Sequence, residues 1–179
     1  TEGTGNATVT INGGQVGHNR KDSGMVNGSS RGWEGNPEGS FLNQLAWVNN
    51  AIVTIGDATT NDEDKGPAIL GSVYGGGENG HNYNDGNVTI NKGTIGNADP
   101  RAESYDCGNV YGAGCGTDTY WIDANENGNQ DEGEEHHNPM AGLVRGNTSI
   151  TINGGNILRN VYGAGSMGSV GNDTDAEIA

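Results

Sequence analysis

Residues 147–168 read NTSITINGGNILRNVYGAGSMG, and pieces of this stretch recur along the whole chain. Ser149, Ile150, Thr151 and Ile152 alternate polar and apolar, the period-2 signature of a strand with one buried face. Ile150 and Ile152 therefore share a side. Asn153, Gly154 and Gly155 follow as a turn, because Asn and Gly accept the positive φ that a tight reversal requires. Ile157 opens a second short strand, and Val161 with Tyr162 supplies a third apolar contact. Gly163, Ala164 and Gly165 then close the unit with residues too small to obstruct a neighbouring backbone. One unit is thus two or three very short strands joined at glycine corners.

Working outward, Thr8 to Val16 (TVTINGGQV) repeats the opening of this unit, with Val9, Ile11 and Val16 at the apolar positions, and Val26-Asn27-Gly28 reads as a degenerate VYG. A second copy opens at Ile52-Val53-Thr54-Ile55 and, after a polar loop over 57–65, resumes at Ile69 and closes at Val73-Tyr74-Gly75. The third opens at Val88-Thr89-Ile90 and closes at Val110-Tyr111-Gly112. Fixed strands separated by loops of unequal length are what a solenoid shows, since each coil must stack on its neighbour while loops project freely. The reading is therefore an all-β, parallel β-solenoid of short strands forming one domain over 1–179, with insertions at about 27–50 and 117–143. A β-sandwich, which also has many short strands, is the alternative. Phe41, Leu45 and Val48 fall at i, i+4 and i+7 behind Asn36 and Pro37, the one stretch that predicts a helix. Trp33, Phe41 and Trp47 are expected to plug one side of the apolar column.

Composition supports a thin core. Of 179 residues 34 are Gly and 25 Asn, about a third of the chain in turn formers, and only 31% are hydrophobic. Eight Lys and Arg against 23 Asp and Glu give a net charge of −15, which repels phosphate backbones and anionic lipid, so neither nucleic acid nor a membrane surface is an expected partner. No apolar run is long enough for a membrane-spanning helix. The chain opens and closes inside repeat-like text, which predicts a piece of something longer whose ends are in phase and stack head to tail on copies of itself.

The most specific motif lies in the second insertion. Asp123-Ala124-Asn125-Glu126-Asn127-Gly128 followed by Glu134 matches the D-x-[DN]-x-[DN]-G-x5-E calcium loop at every specified position. Calcium takes six to eight oxygens, and this spacing supplies them: Asp123, Asn125 and Asn127 by side chain, Asn129 by its carbonyl, Asp131 directly or through water, and Glu134 with both carboxylate oxygens. Two neutral Asn ligands predict affinity in the range of about 10⁻⁴ to 10⁻³ M, suited to extracellular calcium acting as a structural staple. A solvated acidic loop is the competing reading.

The same run, WIDANENGNQDEGE over 121–134, resembles the calcium loops of bacterial surface-adhesin B-type repeats. That resemblance implies an extracellular setting and a rigidifying metal, not that family's sandwich fold. The VTINGG and VYGAG texts resemble the glycine-rich repeats of large secreted or surface-anchored proteins of Bacteroidetes-type bacteria.

Other residues carry weaker signals. Cys107 and Cys115 flank a VYGAG corner, where a disulfide and two free thiols are equally compatible with the spacing. Tyr74, Tyr111 and Tyr162 recur in phase and predict a stacked ladder. His136 and His137 are expected to be solvated, and the Asp and Asn residues over 57–64 to form a polar loop. Two function classes follow. The first is a non-enzymatic structural or adhesive module, calcium-stapled and extracellular or on the cell surface. The second is a carbohydrate-binding or lyase-like β-helix, disfavoured because Lys21, Lys65 and Lys92 are remote in sequence from the calcium loop and Arg145 is the nearest cation. An ice-binding row of Thr is a third and weaker option.

Overall fold

The computed structural model describes residues 5–18, 23–32, 46–60, 65–97, 107–116, 120–121, 123–136 and 140–171. The first coil holds β1 (Ala7–Ile11), β2 (Gln15–Val16), β3 (Val26–Asn27) and β4 (Trp47–Val48). The second repeats the order with β5 (Ala51–Ile55), β6 (Ala68–Ile69), β7 (Val73–Tyr74) and β8 (His81–Asn82). The third has β9 (Gly86–Ile90), β10 (Thr94–Ile95) and β11 (Val110–Tyr111), then a projecting hairpin, β12 (Tyr120–Trp121) and β13 (Glu135–His136). The fourth has β14 (Thr148–Ile152), β15 (Asn156–Ile157) and β16 (Val161–Tyr162).

Equivalent strands stack in parallel into three four-stranded sheets, β1-β5-β9-β14, β2-β6-β10-β15 and β3-β7-β11-β16. This is the parallel β-solenoid expected from the repeats. The register is the one the repeated text demands: Val9, Val53, Val88 and Ile150 align, as do Ile11, Ile55, Ile90 and Ile152. Each coil nevertheless has four sides, not two or three strands. On the fourth side β4 pairs with β8, and single parallel bridges continue the column from Asn82 to Val144 to Val170. No repeated text marks that side, because its backbone ladder accepts unlike residues.

The interior is one apolar column. Val53, Ile55, Ile69, Val73, Val88, Ile90, Ile95 and Val110 are fully or almost fully buried, and Val9, Ile11, Val16, Ile150 and Ile157 pack against them from the first and last coils. Alternation along β5 sets the two faces, with Ala51, Val53 and Ile55 inward and Ile52 exposed. No helix occurs among the described residues. Phe41 and Leu45 of the expected helix, and Trp33, lie outside them, while Val48 belongs to β4, where its backbone is extended.

Two features set the tight axial fit. The glycine of each VYG stands where the next coil comes closest: a Cβ on Gly75 would overlap the Gly112 carbonyl, and one on Gly112 would overlap the Gly163 carbonyl. Polar ladders satisfy the corners. Asn50 donates to Asn6 Oδ1 (2.9 Å), Asn50 Oδ1 accepts the Asp85 N–H (3.1 Å), and Asp85 Oδ1 accepts the Asn147 N–H (2.8 Å). At the next corner Asn91 donates to the Gly56 carbonyl (3.0 Å) and Asn153 to Asn91 Oδ1 (2.9 Å). Each such bond contributes about 1 kcal/mol and fixes the stacking phase. The three tyrosines form the expected ladder, with ring centroids 4.8 Å apart for Tyr74–Tyr111 and 5.0 Å for Tyr111–Tyr162, nearly parallel.

Candidate calcium loop and the exposed end of the solenoid

The antiparallel pairing of β12 with β13, Trp121 opposite Glu135, draws together the two ends of the loop over 123–134. Inside it the carboxylates organise the backbone. Asp123 accepts the N–H groups of Asn127 (2.9 Å) and Gly128 (2.7 Å), and Gly128 adopts φ +79°, the sharp bend the motif reserves for glycine. Glu134, only 5% exposed, accepts from the N–H of Ala124 (2.9 Å) and of Asp131 (2.8 Å), so one side chain ties the loop's two halves. The side-chain oxygens of Asn125 and Asn127 accept the N–H groups of Asn127 (3.1 Å) and Asn129 (2.7 Å). Their Nδ2 groups both donate to Asp131 Oδ2, at 2.7 and 2.6 Å. Those hydrogen bonds, Asn125 first and then Asn127, hold the Asp131 pKa below the ordinary carboxylate value and favour its ionised form.

This arrangement fits a hard cation in its donor chemistry. Asp123, Asn125, Asn127, Asp131 and Glu134 are joined in one hydrogen-bonded loop, and rotating the two amides would present oxygens where their N–H groups now donate to Asp131. No group of three His, Cys, Asp or Glu side chains suited to a metal occurs among the described residues. The three carboxylates of the motif, Asp123, Asp131 and Glu134, are thus not gathered around one point; each is turned to backbone N–H or side-chain amide donors of the loop. Asn129 is present in the loop, its N–H engaged by Asn127, leaving its carbonyl for the role the motif assigns.

The second surface is the end of the column. Ile152, Leu158, Val161, Tyr162, Met167 and Val170 are large apolar side chains exposed together on the fourth coil. Ile152 is 48% exposed, whereas Ile90, one coil below it in register, is 0%. The sequence correctly assigns Ile152 to the inward face, but no coil covers it among the described residues.

A cluster on the fourth side was not legible beforehand. Trp47, expected to plug the column, lies on the fourth side, its ring tilted against His81 (centroids 4.7 Å, 45° between planes) and edge-on to Tyr83 (6.1 Å). The Arg145 guanidinium lies 5.0 Å from the Trp47 ring centroid and 5.7 Å from that of Tyr83, each such contact worth about 0.5–2 kcal/mol. These side chains clamp three successive coils. Burial pushes the His81 pKa down to about 4 against an opposing hydrogen bond to the Met140 backbone, and Arg145 lowers it further.

The remaining expectations fall as follows. Cys107 is buried and Cys115 half-buried, and no disulfide joins them. His136 lies on β13, and His137 is outside the described residues. Asp57 caps its own loop by accepting from Thr59 N (2.8 Å) and Oγ1 (2.7 Å), and residues 61–64 are not described. Thr10, Thr54, Thr89 and Thr151 align in one outward column, but the adjacent column is Thr8, Ile52, Asn87 and Ser149, so no two-dimensional Thr array forms.

Fold and surfaces together define a four-sided parallel β-solenoid with a projecting acidic loop and an apolar terminal coil. No protein-family model, curated protein or solved structure matches the chain.

Proposed function

We propose that this protein is a non-enzymatic structural module of an extracellular or cell-surface assembly, whose coils continue head to tail. The continuation is either copies of this unit joined end to end or further repeats of one long chain. The exposed apolar end of the fourth coil, where Ile152, Val161, Tyr162 and Val170 pair with buried Ile90, Val110, Tyr111 and Val144 of the third, is the observation that supports this reading. Covering the exposed parts of side chains such as Ile152, Val161 and Tyr162 would add apolar burial worth about 25 cal/mol per Å². β14, β15 and β16 are each the last strand of their sheet, so an added coil would also extend three backbone ladders. The contact is heterologous and does not close, which yields a filament or a long rod.

Calcium held by Asp123, Asn125, Asn127, Asn129, Asp131 and Glu134 would neutralise the loop's carboxylates and fix the hairpin between the third and fourth coils. The resemblance of this loop to adhesin repeats, and of VTINGG and VYGAG to surface-protein repeats, supports the extracellular setting. The test is sedimentation velocity with electron microscopy on the calcium-loaded protein over a wide concentration range. The expected result is concentration-dependent rods that Ile152→Asp abolishes without unfolding the chain. A wild-type protein that stays monomeric at every concentration rules out self-stacking.

A further inference from the structure

Two glycines, one at each end of the column, have no reason to be glycine in the isolated chain. Counting upward from the first coil to the fourth, the repeat's inner glycines are fixed by a neighbour. A Cβ on Gly112 would overlap the Gly163 carbonyl of the coil above, and one on Gly154 would lie 2.6 Å from the Asn91 carbonyl oxygen of the coil below. Gly163 is the fourth-coil counterpart of Gly112, and Gly13 is the first-coil counterpart of Gly154 in the shared TINGG text. Yet a Cβ on Gly163 or on Gly13 would meet nothing within 4 Å among the described residues, and neither has the positive φ that favours glycine. Each is open on the side from which its counterpart is touched. Gly163 faces a coil above the fourth, and Gly13 faces a coil below the first.

The polar ladders point to the same seam. Three groups of the fourth coil donate downward: Asn153 Nδ2 to Asn91 Oδ1 (2.9 Å), the Asn147 N–H to Asp85 Oδ1 (2.8 Å) and the Asn160 N–H to Asn109 Oδ1 (3.1 Å). The side-chain oxygens of Asn147, Asn153 and Asn160 are the next acceptors in these series, and all three residues are exposed. The first coil holds the matching donors at the equivalent positions, namely the Asn12 amide and the backbone N–H groups of Asn6 and Met25. We infer that the fourth coil takes the first coil of a second copy of this chain, in the register that sets Ile150 on Val9, Ile152 on Ile11, Ile157 on Val16 and Val161 on Val26. This rests on the head-to-tail reading above and names its partner and register. Fourth coil on fourth coil is not an alternative, because it would leave Gly13 and the first coil's donors without a neighbour. One position does not repeat: Tyr162 meets Asn27, so the tyrosine ladder is interrupted at the seam. The step is accommodated, since Asn27 already pairs with Tyr74 inside the chain.

The test mixes full-length Asn12→Cys with full-length Asn153→Cys at concentrations where the wild type forms rods, oxidises mildly and maps disulfides by mass spectrometry. Equivalent residues of adjacent coils lie about 4.8 Å apart, within the span a disulfide bridges. A bridge between position 12 of one copy and position 153 of another is expected in the mixture, and no bridge from 12 to 12 or from 153 to 153 in either variant alone. Gly13→Ala and Gly163→Ala both have room for the methyl in the isolated chain. Each should therefore keep the Tm of the dilute protein while raising the concentration at which rods appear roughly tenfold or more. Thr151→Ala, on the outward face of the first sheet, should leave that concentration unchanged. Rods that form without the 12 to 153 bridge, or that tolerate Gly13→Ala, would overturn this partner and register while leaving an assembly of another kind standing. A chain that forms no rods at any concentration would overturn the stacking reading itself, and this inference with it.

Discussion

Residues 110–114 and 161–165 both read VYGAG, yet one segment is core and the other is surface. In the third coil Tyr111 is 6% exposed, and a Cβ on Gly112 would strike backbone. In the fourth coil Tyr162 is 44% exposed, and a Cβ on Gly163 would meet nothing within 4 Å. The letters are the same, and the local strand is the same. In a solenoid, burial is conferred by the next coil along the axis, so a residue's energetic weight depends on its coil number as much as on its identity.

The sharpest way to break this comparison is a charge in the column. Ile90→Asp should destabilise by at least about 4 kcal/mol, since it buries an unpaired carboxylate, while Ile152→Asp should cost under about 1 kcal/mol in the monomer. Urea unfolding of the two variants decides it, and equal losses would mean the fourth coil is covered. Next in size, Gly112→Ala should cost about 3 kcal/mol through backbone overlap and Gly163→Ala almost nothing in the monomer. Under assembling conditions Gly163→Ala should become disruptive if a further coil seats there, because the added methyl then stands where Gly112 admits none.

Acid should weaken the inner region first. The His81 pKa is about 4 in the folded chain against 6.5 for the ordinary side chain. Above pH 6.5 both states are neutral and His81 adds no pH dependence. As pH falls from 6.5 to 4 the unfolded chain takes up the proton first, so stability declines across that window, by about 2 kcal/mol at pH 5, and the decline ends below pH 4. Comparing unfolding midpoints of wild type and His81→Asn from pH 7 to 5 isolates this share from the carboxylates, and parallel curves would refute it. The smallest effect belongs to calcium. At millimolar calcium the loop should gain roughly 1 kcal/mol. Hydrogen exchange should slow in the hairpin and in β14 to β16 but not in β5 to β9, and Asp123→Ala should erase the difference.

The legibility of this chain follows the same logic. Three sides of each coil could be read because Val9, Val53, Val88 and Ile150, or Val73, Val110 and Val161, occupy equivalent positions that all face one column. The fourth side could not, since Val48, Asn82, Val144 and Val170, which backbone pairing stacks in one column, share no repeated text. The candidate calcium loop stood out because its motif residues lie within twelve consecutive positions, and its internal hydrogen bonds follow that spacing. The Arg145 clamp did not, because Trp47, His81, Tyr83 and Arg145 come from three coils and meet only through stacking register.

The unequal connections between coils have a mechanical meaning. Hydrogen bonds between coils run along the axis, while the covalent chain runs round it, so a pull along the axis loads one interface at a time. Equivalent positions in the third and fourth coils are 62 residues apart, against 35 between the second and third. A coil adds only about 4.8 Å of rod, but releasing a 62-residue connection pays out roughly 200 Å of extended chain. The hairpin loop lies within that longest connection. The interface between the third and fourth coils therefore carries the most slack, and a rod built from such units would let out the most hidden length where that interface parts.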